Sequence, residues 1–225
     1  MTQLFFITGT DTDAGKTSFA VAWLKHLNSQ GFLTQGIKPI ASGGLSTPKG
    51  VHNDDALAIQ SAMSLTLPYS QINPIALTDP IAPHIAAERE GRSLKAADII
   101  EMVESRVDPR ADVCLIEGAG GWFTPLNSHE TYADVVTQAN WPVIVVVGMK
   151  LGCLNHALLT MANLTQRGIQ TVGWIANIMV EPMTALSENL AYLDSALPVP
   201  RLATLHSQHR LSVGKLAESV TSPAL

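Results

Sequence analysis

The chain has 225 residues, a net charge of −5 and no Lys/Arg cluster, which excludes a nucleic-acid-binding surface. With 46% apolar and only 15% charged residues it can bury a large core, so residues 1–225 are read as one folded domain without linker or repeat. Two cysteines, Cys114 and Cys153, no secretion signal and no membrane-length apolar run lead to the expectation of a cytoplasmic protein that meets no bilayer.

Short apolar strands alternate with longer helical stretches. Residues 4–7 read as a strand and 17–28 as a helix. A second strand is predicted over 34–40 and a helix over 94–105, where apolar residues fall at helical spacing. Strands are predicted at 113–116, 143–147 and 170–176, with helices at 154–166, ended by Gly168, and at 183–195. The strands are continuous apolar runs rather than alternating ones. That pattern suits strands buried on both faces, hence an α/β fold with a mostly parallel sheet flanked by helices. Residues 41–85, rich in Pro and Gly, read as a long excursion around the site rather than a second domain.

The first strand runs into "GTDTDAGKT", residues 9–17, and then a helix. A P-loop has this placement: its backbone N–H groups face the phosphates, its Lys reaches the outer phosphates and its Ser/Thr hydroxyl holds Mg²⁺. Gly15, Lys16 and Thr17 supply the end of such a loop, but the first glycine of the strict spacing would fall at Thr10, and Gly9 stands one place early. The alternative for Thr17 is a helix cap. Nucleotide binding is the reading the context favours.

Four further stretches carry candidate chemistry. In "GIKPIASG" a strand ends at Lys38 and leads to Ser42, so the lysine either reaches the ligand crevice or is solvated. In "NDDALA" one of Asp54 and Asp55 is a helix cap or a second Mg²⁺-supporting carboxylate. The strand in "ADVCLIEGAGGWFTPL" delivers Glu117 at its carboxyl end, where P-loop proteins support Mg²⁺. Gly118, Gly120 and Gly121 there permit close backbone approach to a ligand. In "MKLGCLNHALLT" residues Gly152, Cys153, Leu154 and Asn155 open a helix, either as an anion site or as plain capping. His156 is read as packed or capping. No His/Cys cluster has zinc spacing, and no Ser/His/Asp or Cys/His pattern supports nucleophilic catalysis.

Together, "GTDTDAGKT", "KPIASG", "NDDALA", "NPIALTDPIAPH", "EGAGGWFTPL", "VVVGMKLGCLNHALLT" and "GWIAN" resemble the dethiobiotin synthetases, from residue 9 to about residue 177. The family's loop carries an extra residue before Gly15, which accounts for the broken spacing. The resemblance implies a P-loop NTPase-like fold and an ATP-dependent ring closure of 7,8-diaminopelargonate with CO₂. It implies catalytic Lys38 and Lys16. It places Asp13, Ala14, Gly15, Lys16, Thr17, Ser18, Asp55, Glu117, Gly118, Ala119, Gly120 and Asn177 around ATP. Thr17, Asp55 and Glu117 would hold Mg²⁺. Thr12 and Ser42 would contact substrate, and Gly152, Cys153, Leu154 and Asn155 would anchor its remote carboxylate from the other subunit of a homodimer. Asp13 is tolerated near a helix N-terminus, and Asp11 and Thr12 are expected to face the substrate amines. The chain departs from the family at "RLATLHSQ", residues 201–208, where a Gly-Glu-Ile-Pro-like adenine-holding stretch is replaced, so contacts from Thr204 to His206 would be through backbone and strict ATP preference is open.

A partitioning or metal-delivery ATPase would carry an early second lysine in the loop, where Thr10, Asp11 and Asp13 stand. A GTPase would need an Asn-Lys-x-Asp-like base reader, and "NIMVE" is not one. A carboxylate-amidating relative usually carries a glutaminase domain that this length excludes. Intact Lys16, Thr17, Lys38 and Glu117 argue against a dead binding module.

Overall fold

The computed structural model describes residues 1–179 and 183–206, and the backbone of 210–213. Its first strand, β1 (Gln3–Gly9), leads through the Gly-Lys-Thr loop into α1 (Lys16–Ser29) and then β2 (Thr34–Ile37). The excursion that follows is more ordered than its composition suggests. It holds β3 (Ile40–Ala41), a small hairpin of β4 (Leu45–Thr47) and β5 (Gly50–His52), α2 (Asp54–Ala62), α3 (Tyr69–Ile72), β6 (Ile75–Ala76) and α4 (Pro83–Arg89). The chain continues through α5 (Ala96–Glu104), β7 (Val113–Glu117), α6 (Tyr132–Ala139), β8 (Val143–Met149), α7 (Cys153–Gln166) and β9 (Thr171–Ile178). It ends with α8 (Leu186–Ala196), β10 (Arg201–His206) and β11 (Arg210–Val213).

The main sheet has the order β11-β10-β9-β8-β1-β7-β2. Six strands are parallel, and β11 adds antiparallel to β10 at one edge. This is the expected mostly parallel α/β architecture. Side chains of each strand alternate between two cores, as the two-residue repeat of a strand requires. Phe6, Cys114, Ile116, Val145 and Trp174 face α5, α6, α7 and α8, while Phe5, Ile7, Leu115, Val146 and Ile175 face α1 and α2. Burial on both faces explains why the strands read as unbroken apolar runs.

Two expectations are corrected here. The strand predicted over 34–40 breaks after Ile37, because Pro39 has no N–H to continue the ladder and the Lys38 N–H donates to Ile72 O at 2.8 Å instead. Ile40–Ala41 then pairs with Ile75–Ala76 in a separate ladder. The last helix begins at Leu186 rather than 183, because Ala185 takes a left-handed φ of 55° at its N-cap. Ser207 and Gln208 of the altered stretch, and the Val and Glu of "NIMVE", lie outside the described residues.

Strand order also locates the crevice. From β1 the chain moves to one side, to β2 and then to β7 between them, and afterwards to the other side through β8, β9 and β10. The carboxyl ends of β1 and β7 therefore lie where the direction of winding reverses, which is where open α/β sheets bind ligands.

Candidate active site

A cavity of about 840 Å³ opens at this point. The loop after β1 contributes Thr12, Asp13, Gly15, Lys16, Thr17 and Ser18 to its wall. Lys38, Ser42 and Asp55 come from the β2 side, and Glu117, Ala119 and Gly120 from the end of β7. Of the sequence-predicted residues, Ala14, Gly118, Asn177 and the start of α7 do not line it.

The loop's geometry explains its spacing. Gly9 does the work that the strict pattern gives to a glycine one place later. A Cβ at Gly9 would lie 3.1 Å from Ala14 Cβ and 3.3 Å from Lys16 Cγ, so the loop closes tightly over that position. Helix α1 starts with Gly15 as its N-cap at φ 93°, and Thr17 is not a cap: its hydroxyl donates to Glu117 Oε1 at 2.7 Å. Behind the loop, Asn177 Nδ2 donates to Ala14 O at 2.9 Å. A Cβ at Gly15 would stand 1.9 Å from that same nitrogen. Gly15→Ala is therefore expected to lower nucleotide affinity by more than about tenfold and stability by about 1–3 kcal/mol, the cost of one enforced backbone strain. Titration with a fluorescent ATP analogue and a thermal melt measure both, and unchanged affinity would remove Gly15 from the cradle.

Charges converge on Glu117. The Lys38 ammonium lies 2.5 Å from Glu117 Oε1 and 3.0 Å from Asp55 Oδ2, with the Lys38 side chain 5% exposed and that of Glu117 1%. Burial opposes charging Lys38, but the adjacent Glu117 and Asp55 carboxylates outweigh it and raise its pKa above the usual 10.5. Lys16 points back at backbone, donating to Gly120 O at 2.5 Å and Asp11 O at 3.3 Å. Burial, reinforced by the Lys38 charge and opposed by Glu117, lowers the Lys16 pKa below its ordinary value.

Lys38 is therefore a buried, paired lysine, not a solvated one. Asn53, not Asp54 or Asp55, caps α2: its side chain accepts from the Ala56 N–H at 3.3 Å. That leaves the Asp55 carboxylate free to face the cavity, whereas Asp54 is exposed and does not line it. Ser42 lines the cavity with its buried Oγ unpartnered.

Thr17, Asp55 and Glu117 offer hydroxyl and carboxylate oxygens, the donor chemistry that suits Mg²⁺. Glu117 Oε2 is buried with no hydrogen-bond partner, so one carboxylate oxygen of this group is unsatisfied. The residues fit the cation. Among the described residues no group of three or more His, Cys, Asp and Glu forms a protein-only metal cluster.

The side chains of Asp11 and His156 lie otherwise than expected. Asp11 does not face the cavity: its Oδ2 lies 2.7 Å from His156 Nδ1 and 3.6 Å from Lys150 Nζ. His156 is thus neither packed nor capping; it ties the loop's first half to α7. Gly152, Cys153, Leu154 and Asn155 open a helix, with Gly152 as its left-handed N-cap, and lie outside this chain's own cavity. The lining residues missed by sequence reasoning are Ala41, Pro80, Ile81, Ala82, Pro83, Thr124 and Pro125, which complete the cavity's wall. The motifs "NPIALTDPIAPH" and "EGAGGWFTPL" held that signal.

These features define a P-loop nucleoside-triphosphate-binding α/β protein. The family model described as "AAA domain" (AAA_26) matches residues 3–213. Solved structures of similar fold include the MinC:MinD cell division complex of Aquifex aeolicus, at TM-score 0.57 and 13% identity over 97% of this chain and 84% of that one. Cell division protein FtsY of Thermotoga maritima matches at TM-score 0.55 and 12% identity over 99% of this chain and 69% of that one. Closer in sequence are proteins named ATP-dependent dethiobiotin synthetase. The protein from Cellvibrio japonicus is 47% identical over 90% of this chain and 89% of its own, and the one from Salmonella typhi is 47% identical over 91% and 90%. The chain belongs to the dethiobiotin synthetase family.

Proposed function

We propose that the protein is an ATP-dependent dethiobiotin synthetase, a ligase that closes C–N bonds. The observation that carries this reading is Lys38 held between Glu117 and Asp55, with Thr17 on the same Glu117 oxygen, beside a P-loop, in a chain 47% identical to proteins of that name. One amine of 7,8-diaminopelargonate adds to CO₂, losing a proton and giving a carbamate. A carbamate oxygen attacks the γ-phosphorus of ATP and ADP departs, leaving a carbamic–phosphoric anhydride. The second amine attacks the anhydride carbon, phosphate leaves with the C–O bond electrons, and the loss of one proton completes the cyclic urea.

The chain's own residues suit these steps. Two anions must meet in line, which calls for fixed positive charge rather than a nucleophile. Lys16 and Lys38 supply it. Backbone N–H groups from Asp13 to Ser18 and the start of α1 receive the phosphates. The loop of Glu117, Gly118, Ala119 and Gly120 flanks them, with Gly118 packed over Phe6, where a Cβ would meet the ring at 2.7 Å. Thr17, Asp55 and Glu117 would hold a Mg²⁺ ion arriving with ATP, which would supply charge neutralisation for the phosphates. Asn177 directs Nδ2 to Ala14, so its Oδ1 is the atom of the right polarity for an adenine amino group. The β10 residues Thr204 to His206 run beside β9, with Leu205 in register with Asn177, and supply backbone to the same end. Thr12 and the unpartnered Ser42 hydroxyl meet the diamine.

The start of α7 anchors the substrate's far carboxylate in the site of a second subunit. Support comes from its position outside its own cavity, beside the fully exposed Leu151 and exposed Asn155 and Leu159. A homodimer results, observable by analytical ultracentrifugation. Among the described residues no helix is long and apolar enough to cross a membrane.

The test is product formation by mass spectrometry with 7,8-diaminopelargonate, bicarbonate and Mg²⁺, with ATP, CTP and GTP in parallel. A dethiobiotin peak that requires nucleotide and bicarbonate is the expected result. Nucleotide binding without product would overturn the reading.

A further inference from the structure

The two carboxylates fitted to a divalent cation already hold a cation. Lys38 Nζ lies 2.5 Å from Glu117 Oε1 and 3.0 Å from Asp55 Oδ2, and Thr17 Oγ1 donates to the same Glu117 oxygen at 2.7 Å. The ammonium thus pairs with both carboxylates that would ligate metal, and shares one Glu117 oxygen with the third candidate ligand, the Thr17 hydroxyl. Its own side chain is 5% exposed and that of Glu117 1%, so water screens neither. A divalent ion that enters beside this ammonium meets its repulsion, because at these separations two positive charges oppose each other strongly where water is largely excluded.

We propose that Lys38 is the resident cation of the Asp55–Glu117 site in the nucleotide-free protein and yields that place when a divalent cation enters with nucleotide. The proposal rests on the metal reading given above and deepens it. Two consequences follow from charge alone. Without nucleotide, the carboxylates are neutralised by Lys38, and a free divalent ion gains little by displacing it. With nucleotide, the triphosphate supplies new negative charge, so Lys38 leaves the carboxylates for an anion that is then present. Its charge is delivered to the reacting groups only after the metal and nucleotide are in place. Lys16 has no part in the exchange, because its ammonium is held by the carbonyl oxygens of Gly120 and Asp11 rather than by a carboxylate.

The experiment is electron paramagnetic resonance titration with Mn²⁺ at fixed pH, with and without a non-hydrolysable ATP analogue. Lys38→Met is expected to bind free Mn²⁺ at least about tenfold more tightly than the unaltered protein, equivalent to about 1.4 kcal/mol. Lys16→Met, which removes a charge from the same cavity, should change free Mn²⁺ affinity little. An equal gain in both variants would mean unspecific electrostatics and would overturn the proposal, as would no gain in Lys38→Met. A second readout needs no variant. In ¹⁵N spectra of the lysine ammonium groups, a slowly exchanging Lys38 signal should be present without nucleotide and shift when Mg²⁺ and the analogue are added. An unmoved signal would also overturn it. Failure of the unaltered protein to bind Mn²⁺ even with the analogue is a different outcome: it would refute the metal site itself.

Discussion

Replacing Lys38 by alanine is expected to lower turnover roughly 10²–10³-fold, the scale for losing one preorganised charge-stabilising donor, while nucleotide binding stays largely intact. The phosphate cradle does not depend on this side chain. It is built from the backbone between β1 and α1, with Lys16 and the helix start providing the attraction for phosphate. Lys38 instead lines the cavity from the end of β2, beside the Glu117 oxygen that Thr17 also contacts. Its charge therefore acts on the reaction more than on ground-state binding. Product formation under saturating nucleotide, beside calorimetric nucleotide affinity, separates the two effects. Near-normal turnover would take Lys38 out of the mechanism.

The largest loss of stability is expected from Glu117→Ala. Removing this buried carboxylate strips Lys38 of its nearest partner and Thr17 of its acceptor. Breaking a buried ion pair from one side costs about 3–5 kcal/mol. Asp55 remains at 3.0 Å from Lys38, so the lower end, about 3 kcal/mol, is the expected value. For a chain of 225 residues that is a fall of about 6–12 °C in the thermal midpoint. Glu117→Gln keeps the shape and an acceptor for Thr17 but not the charge, and should fall between. The sign of the pH dependence follows from Lys38, whose pKa is raised above 10.5. A raised lysine contributes fully below its unfolded value and loses that contribution as pH climbs through the folded one. The gap between the two proteins should hold steady from about pH 7 to 9 and narrow only in strong alkali. A variant as stable as the unaltered protein would show that the pair contributes nothing net.

Much of the site was legible in the sequence because its parts stand at strand ends. Lys16 and Thr17 follow β1, Lys38 follows β2 and Glu117 closes β7, and a parallel sheet brings such ends together. Legibility failed where position depends on distant partners. Nothing local marks Asp11 as the partner of His156, 145 residues away. The Pro80–Pro83 wall exists only because the excursion returns over the crevice, through Gly43 N–H to Asp79 O and Gly44 N–H to Leu77 O. The break after Ile37 was written in Pro39, but Ile37 and Ile40 on either side of it hid the break. The choice of Asn53 over its two aspartate neighbours as cap was equally hidden, since Asn and Asp both cap well.

The way Lys38 is held has a consequence for how the protein comes apart. Its strand is the sheet's edge, paired only with β7, and Lys38 itself lies one residue beyond the ladder. Its backbone is fastened by the excursion instead: its N–H to Ile72 O at 2.8 Å, its carbonyl to Asn73 Nδ2 at 2.7 Å, and the next carbonyl to the Ile75 N–H at 3.1 Å. In opening events, then, this lysine belongs to α3 and β6 and not to the central strands. Units with few long-range ties open at lower free energy than the core. In rising urea, activity would fade ahead of the sheet's spectroscopic signal, and the Lys38 amide would exchange with Asn73 and Ile75 rather than with Phe6 or Val145.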